Sequence, residues 1–259
     1  MTHLTSFIAC SKIFTLRVAK VHLRQTKFPT MKRVVAHSSL LGTGLSRKDL
    51  PEFHDFVRSL LDDDGTLVVP SYTLGKLASP FNPVTSPSIG VGAYSEYVRR
   101  LPQSVRSASP LHSHSGIGAE AGLLQKSSIA SFGPGSDFEL FETHDFWLVL
   151  LNTSFAKGAT VLHHVEAISG VPYRTTIEIH RMIHEGGETK EVAVRYPARV
   201  HHNIQTDFDK IVPILERKAP SFMQVSMPEF GVVSAVKIPE LIEIGLSTLE
   251  SNANFFRVS

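Results

Sequence analysis

The chain has 259 residues, 42% hydrophobic and 19% charged, with a formal net charge of +2. That length supports one α/β domain with ample core, and so balanced a charge gives no field for nucleic acid. The single cysteine, Cys10, excludes an internal disulfide and a multi-cysteine zinc site, and no apolar run is long enough to span a bilayer, which together fit a cytoplasmic protein.

Residues 1–33 carry several Lys and Arg and no acid; the first acid is Asp49. This is the composition of a transit segment. The favoured reading is a first helix with a basic outer face, since Leu4, Phe7, Ile8, Ile13, Leu16, Val18 and Val21 keep rough helical spacing, ended by Pro29. Val34 to Leu40 reads as a buried strand. Ser46 then caps a helix through Leu61, with Asp49 and Glu52 where the helix dipole favours acids. Asp64-Gly65 reads as a turn and Thr66 to Pro70 as a second buried strand. Both strands run into small or hydroxylic residues, Ser38-Ser39 and Ser71-Tyr72-Thr73. There an α/β fold presents backbone N–H groups to phosphates.

Residues 76–90, rich in proline and serine, read as an active-site loop. Gly92 to Arg100 reads as a helix whose final arginines suit the dipole or an anionic ligand. Gly118 to Ser127 is a short helix, Phe132 to Ser136 a turn and Phe146 to Leu151 a third buried strand. Thr160 to Ala167 is a helix on which His163 and Glu166 share a face; that spacing alone also fits an exposed surface pair. Thr175–Ile183 and Lys190–Tyr196 alternate around Gly186-Gly187, the pattern of a β-hairpin. A helix from Asp207 to Arg217, short strands at Phe222–Val225 and Gly231–Ile238, and a closing helix opened by Pro239 complete the chain.

The stretch from Val105 to Gly118 holds two histidines and four serines around Pro110. Pro110 favours an extended Ser109, and on an extended backbone His112 and His114 share a face. A histidine in a rigid, hydroxyl-rich loop is a candidate general base, because its free pKa lies near neutrality. The thirteen histidines are scattered, and His163-His164 and His201-His202 are adjacent pairs rather than the i, i+4 spacing of the helical zinc motif, so no metal is expected.

Three blocks carry a family likeness. The first is Val35 to Leu40 followed by Gly65 to Thr73. The second is Phe81-Asn82-Pro83, Gly92-Ala93 and Arg99-Arg100, then Arg106-Ser107, Pro110, His112-Ser113 and Ile117-Gly118. The third is Asp145 to Leu151, Leu162-His163 with Glu166, and Val171 to Arg174. In order and spacing these blocks resemble the aminoglycoside 3-N-acetyltransferase family of antibiotic resistance. The resemblance implies acetyl-CoA as donor and a primary amine of an aminoglycoside, at the 3-N position, as acceptor. It also implies direct transfer with no covalent acyl-enzyme. His112 matches the family's catalytic base, and Glu166 the glutamate expected to orient it or bind the amine. Ser38, Ser39, Thr73, Arg106 and Ser107 fall where the family binds CoA, and Tyr72 and His163 beside the acceptor. The sequence departs from the family pattern at Ser109, where a histidine is usual, at Asn152, where a glycine is usual, and in lacking a Gly-Asp turn before the first strand.

The chemistry agrees with this likeness: an ammonium must lose a proton before it attacks, and a carboxylate beside the accepting histidine fixes its tautomer. Acids near the acceptor side are few (Asp137, Glu139, Glu142, Asp145, Glu166), which makes a less cationic amino sugar the alternative acceptor. A hydrolase using Ser113 or Ser115 with His112 and Glu166 is a reading of another class, without the Gly-x-Ser-x-Gly elbow. A donor-binding relative without activity is a third. The expected fold is one α/β domain over 1–259, its central, mostly buried sheet flanked by helices and by a C-terminal hairpin and helix lobe. No nucleic acid or membrane partner is expected, and a homodimer is compatible with the sequence.

Overall fold

In the computed structural model, which describes residues 16–26, 28–75, 77–227 and 230–258, seven strands among the described residues form the central sheet. They are β1 (Met31–Ser38), β2 (Leu61–Pro70), β3 (Val105–Arg106), β4 (His114–Ile117), β5 (Trp147–Leu151), β8 (Met223–Met227) and β9 (Gly231–Lys237), in the order β3-β4-β2-β1-β5-β9-β8. β1 is parallel to both β2 and β5, and the outer strands are antiparallel. A separate hairpin joins β6 (Arg174–Glu185) to β7 (Glu188–Arg199).

The three parallel strands are near-continuous apolar runs because both of their faces are covered. Alternate residues divide between two cores. Val35, Val68, Leu148 and Leu150 face α4 (Asp137–Thr143), α6 (Val161–Ser169) and α8 (Ile238–Ser251). Val34, Ala36, Leu67, Val69, Val149 and Leu151 face α1 (16–25), α2 (Leu50–Arg58) and α3 (Ala93–Arg99). Two further short α-helices among the described residues are α5 (Phe155–Gly158) and α7 (Val212–Lys218).

Several expectations change. In α1 the buried residues are Leu16, Ala19 and Leu23, whereas Val18 and Val21 point outward; Leu4, Phe7, Ile8 and Ile13 lie outside the described residues. The Ser46–Asp49 capping box opens a 3-10 turn at Arg47–Asp49, and α2 begins only at Leu50. Asp64-Gly65 is no free turn: Met31 pairs with Leu61 but Arg33 with Thr66, so β2 bulges there. Gly118 to Ser127 winds as a 3-10 helix over Ala121–Lys126. The helix α4 was not expected at all. β8 and β9, whose sheet the sequence does not specify, extend the central sheet beyond β5, where Leu148, Leu150 and Val236 close one core across the β5–β9 pair. The hairpin turns at Gly186 and Gly187, both with positive φ, as a tight two-residue loop requires. No helix among the described residues is long and apolar enough to cross a membrane.

Candidate active site

The C-terminal ends of the parallel strands gather the loops that hold the predicted residues. β1 delivers Ser38 and Ser39, β2 delivers Tyr72 and Thr73, and β5 leads through Asn152 to α6. This edge is where open α/β sheets bind ligands.

The pair on α6 is not a surface pair. Glu166 is fully buried, and its Oε2 lies 2.8 Å from His163 Nδ1. Arg174 Nη2 lies 2.9 Å from the same Nδ1. The tautomer with the proton on Nδ1 gives that proton to the carboxylate, turns the Arg174 Nη2 hydrogen to Oε2 at 2.6 Å and leaves Nε2 free to accept one; the opposite tautomer would take the Arg174 hydrogen on Nδ1 and set its lone pair against the carboxylate. Glu166 also accepts from the Tyr173 hydroxyl at 2.9 Å and from Arg174 Nε at 2.7 Å; Arg174 Nη2 is 2.6 Å from the same Oε2. Burial alone would raise the Glu166 pKa, but His163, Arg174 and Tyr173 hold it below the ordinary carboxylate value. The His163 side chain stays 31% exposed. Its pKa is lowered by burial, and Glu166 opposes that shift.

Glu166 therefore bonds His163, and among the described residues no hydrogen bond joins it to His112. The His112 ring is buried, stacked at 5.8 Å on Tyr196 and packed against Phe132 at 4.6 Å and Tyr72 at 5.0 Å. Its Nδ1 is sealed without a hydrogen-bond partner among the described residues. Burial, with His163 and His114 nearby, pushes its pKa down to about 3.

A second carboxylate–histidine pair lies behind. His114 Nδ1 is 2.7 Å from Asp137 Oδ2, both side chains buried, and the Tyr72 hydroxyl is 3.3 Å from His114 Nε2. The Ser107 hydroxyl donates to the same Asp137 oxygen at 2.6 Å.

Of the residues expected to bind CoA, three are already engaged internally. Thr73 Oγ1 donates to Pro110 O at 2.5 Å, Ser107 to Asp137, and Arg106 to the Ser113 hydroxyl and the carbonyls of Ser86 and Ser71 over the Phe81 ring. Ser39 lines an open cleft of 410 Å³ with Thr153, Ser154 and Asp209. A second cleft of 590 Å³ lies between the 128–134 loop, α6 and the hairpin, lined by Phe132, Ile168, Arg195 and Tyr196. The His163 ring is 4.7 Å from Phe208, the neighbour of Asp209 in the first cleft, and 6.2 Å from Phe132 in the second.

The model of the aminoglycoside 3-N-acetyltransferase family matches residues 35–250. The chain belongs to this family. It is an acyltransferase. Similar solved structures include AAC(3)-Xa (TM-score 0.80, 20% identity, 92% of this chain and 93% of that one) and AAC-IIIb bound to CoASH (0.77, 17%, 92% and 96%). The YokD protein from Bacillus subtilis is a third (0.74, 16%, 92% and 100%). No curated protein sequence matches the chain.

Within this acetyltransferase, Asn152 shows why the departure from glycine is tolerated. Its φ is +51°, a left-handed conformation open to Gly and Asn, and its amide donates to Ser39 O at 3.0 Å and Leu41 O at 2.9 Å. The serine hydrolase arrangement is absent among the described residues. The Ser115 hydroxyl accepts from Ser71 Oγ at 2.8 Å, the Ser113 hydroxyl donates to Ser71 O at 2.9 Å, and neither bonds a histidine. Sequence reasoning missed Phe132 and Tyr196 as site residues and Asp137 as the partner of His114. A short polar-capped helix signal at Ser136-Asp137 with Glu139 was available for α4; Tyr196 carried no signal, since only the fold of the hairpin brings it to His112.

Proposed function

We propose that this chain transfers an acetyl group from acetyl-CoA to a primary amine of an aminoglycoside at the 3-N position, with His163 as general base. The observation that carries the reading is the buried Glu166 carboxylate on His163 Nδ1, which leaves Nε2 to take the amine's proton. The released amine attacks the thioester carbon, the carbon–sulfur bond breaks, and CoA leaves as the thiol with the proton His163 returns. CoASH in the AAC-IIIb neighbour supports the donor, and this chain has two clefts with room for parts of it, one beside Ser39 and one of 530 Å³ lined by Arg99, Arg100 and Arg106.

His112 as general base fits the site less well. It has no carboxylate on Nδ1, and burial keeps its pKa far below working pH. The charge around His163 favours a second acceptor class, an amino sugar with fewer cations. The cleft at Tyr196 has Arg195 and no acid, and in the other cleft the Asp209 carboxylate accepts the Ala156 N–H at 3.0 Å. A polycation is held best by free carboxylates.

The test is thiol release from acetyl-CoA with a panel of aminoglycosides and simple amino sugars, for wild type and His163→Ala. Activity lost in the variant supports the reading, and the preferred acceptors decide between the two classes. Full activity in His163→Ala, or no release with any amine, overturns it.

A further inference from the structure

The dyad on α6 accounts for the proton but leaves His112 unexplained, and leaves the carbonyl oxygen of the thioester without an assigned donor. That oxygen becomes an anion when the amine attacks, and it needs a preorganised N–H or O–H in a water-poor setting.

The backbone around His112 is locked. Its N–H donates to Ser109 Oγ at 3.1 Å, Thr73 N–H to Leu111 O at 2.9 Å and Ser71 N–H to Ser113 O at 2.8 Å. Tyr196, Phe132 and Tyr72 then fix the ring on three sides. Phe132 packs beside both His112 and His163, and His163 is close enough to act electrostatically on His112, so the two rings belong to one neighbourhood.

The sealed Nδ1 decides where the proton of the neutral ring sits. A buried N–H without an acceptor costs more than a buried lone pair without a donor, so Nδ1 is bare and Nε2 carries the hydrogen. A general base needs the opposite tautomer. A ring kept only for packing would be served by an apolar side chain, with no orphaned nitrogen.

We infer that His112 is a second catalytic histidine, its Nε2–H donating to the thioester carbonyl oxygen as that oxygen becomes an anion. The inference rests on the transfer reaction proposed above. In the balanced step the amine proton passes to His163 Nε2, the new carbon–nitrogen bond forms, and the oxyanion held by His112 collapses as the CoA sulfur departs and is protonated. His112 neither gains nor loses a proton. Burial beside His163 and His114 keeps the ring neutral at working pH, as a hydrogen-bonding electrophile requires.

The experiment compares wild type with His112→Phe and His112→Gln in the full chain. Loss of the donor in His112→Phe lowers kcat by about 10²–10³-fold, with the acid limb of the pH profile in place because His163 sets it. His112→Gln restores an N–H and recovers part of kcat. An unchanged kcat in His112→Phe overturns the inference, as does loss of the acid limb in both variants, which would make His112 the base. A measurement independent of turnover uses ¹⁵N-histidine-labelled wild type. The His112 Nε2–H resonance moves downfield with a non-transferable ketone analogue of acetyl-CoA and not with CoASH. Equal spectra with the two ligands overturn the inference even if no amine is found to react. Turnover in wild type with no effect of either His112 variant defeats this inference and leaves the proposed transfer standing.

Discussion

Replacing Glu166 by Gln keeps the side-chain volume and removes the charge that organises α6. The carboxylate is fully buried and receives His163 Nδ1, the Tyr173 hydroxyl and the Arg174 guanidinium, which is itself 6% exposed. Neutralising one partner of a buried ion pair leaves the other uncompensated, at a cost of about 3 kcal/mol. The amide can also turn its NH₂ toward His163 Nδ1, which favours the tautomer that cannot accept a proton. The general-base contribution is about 10²–10⁴-fold, so kcat falls within that range. The sign of the pH effect follows from the same contacts. Burial lowers the His163 pKa and Glu166 opposes it, so without the carboxylate the acid limb of kcat moves to lower pH. Thiol release measured across the pH range, with urea melts of the same samples, reads both effects. Unchanged kcat in a variant that melts earlier, or an acid limb moved upward, would refute the assignment of His163 as the oriented base.

Acid should unfold the protein through its buried neutral histidines. Burial pushes His37 and His112 down to about 3, and His164, which accepts the Gly133 N–H on Nδ1, to about 4. The unfolded chain takes up these protons near pH 6.5 and the native state does not, so stability declines as pH falls below 6.5. The slope is at most about 1.4 kcal/mol per pH unit for each histidine. Urea melts between pH 7 and pH 5 check this, and a flat profile would count against it. Asn152→Ala loses two amide hydrogen bonds and strains a left-handed backbone, for a cost of about 1–3 kcal/mol, whereas Asn152→Gly recovers the backbone part. Equal stability of the two variants would show that the backbone is unstrained.

What sequence reasoning reached was local. Continuous apolar runs along Val34–Ala36, Leu67–Val69 and Leu148–Leu151 mark buried strands because successive side chains face opposite cores and both must be apolar. The i, i+3 spacing of His163 and Glu166 and the Gly186-Gly187 turn are readable because helix rise and turn geometry act over a few residues. The family likeness was readable in short blocks between Val35 and Arg174, within the 35–250 that the family model matches. Tertiary structure decided which histidine owns which carboxylate. His163 and His112 look alike in the chain, but the helix turn holds Glu166 against the first, while Tyr196 and Phe132, from distant elements, seal the second. Asp137 met His114 only when α4 packed on β4, and β9 joined the sheet at the open edge of β5, whose backbone N–H and C=O groups it pairs, with β8 pairing β9 in turn. Such partners depend on how buried faces close over one another, and no short-range periodicity along the chain encodes that.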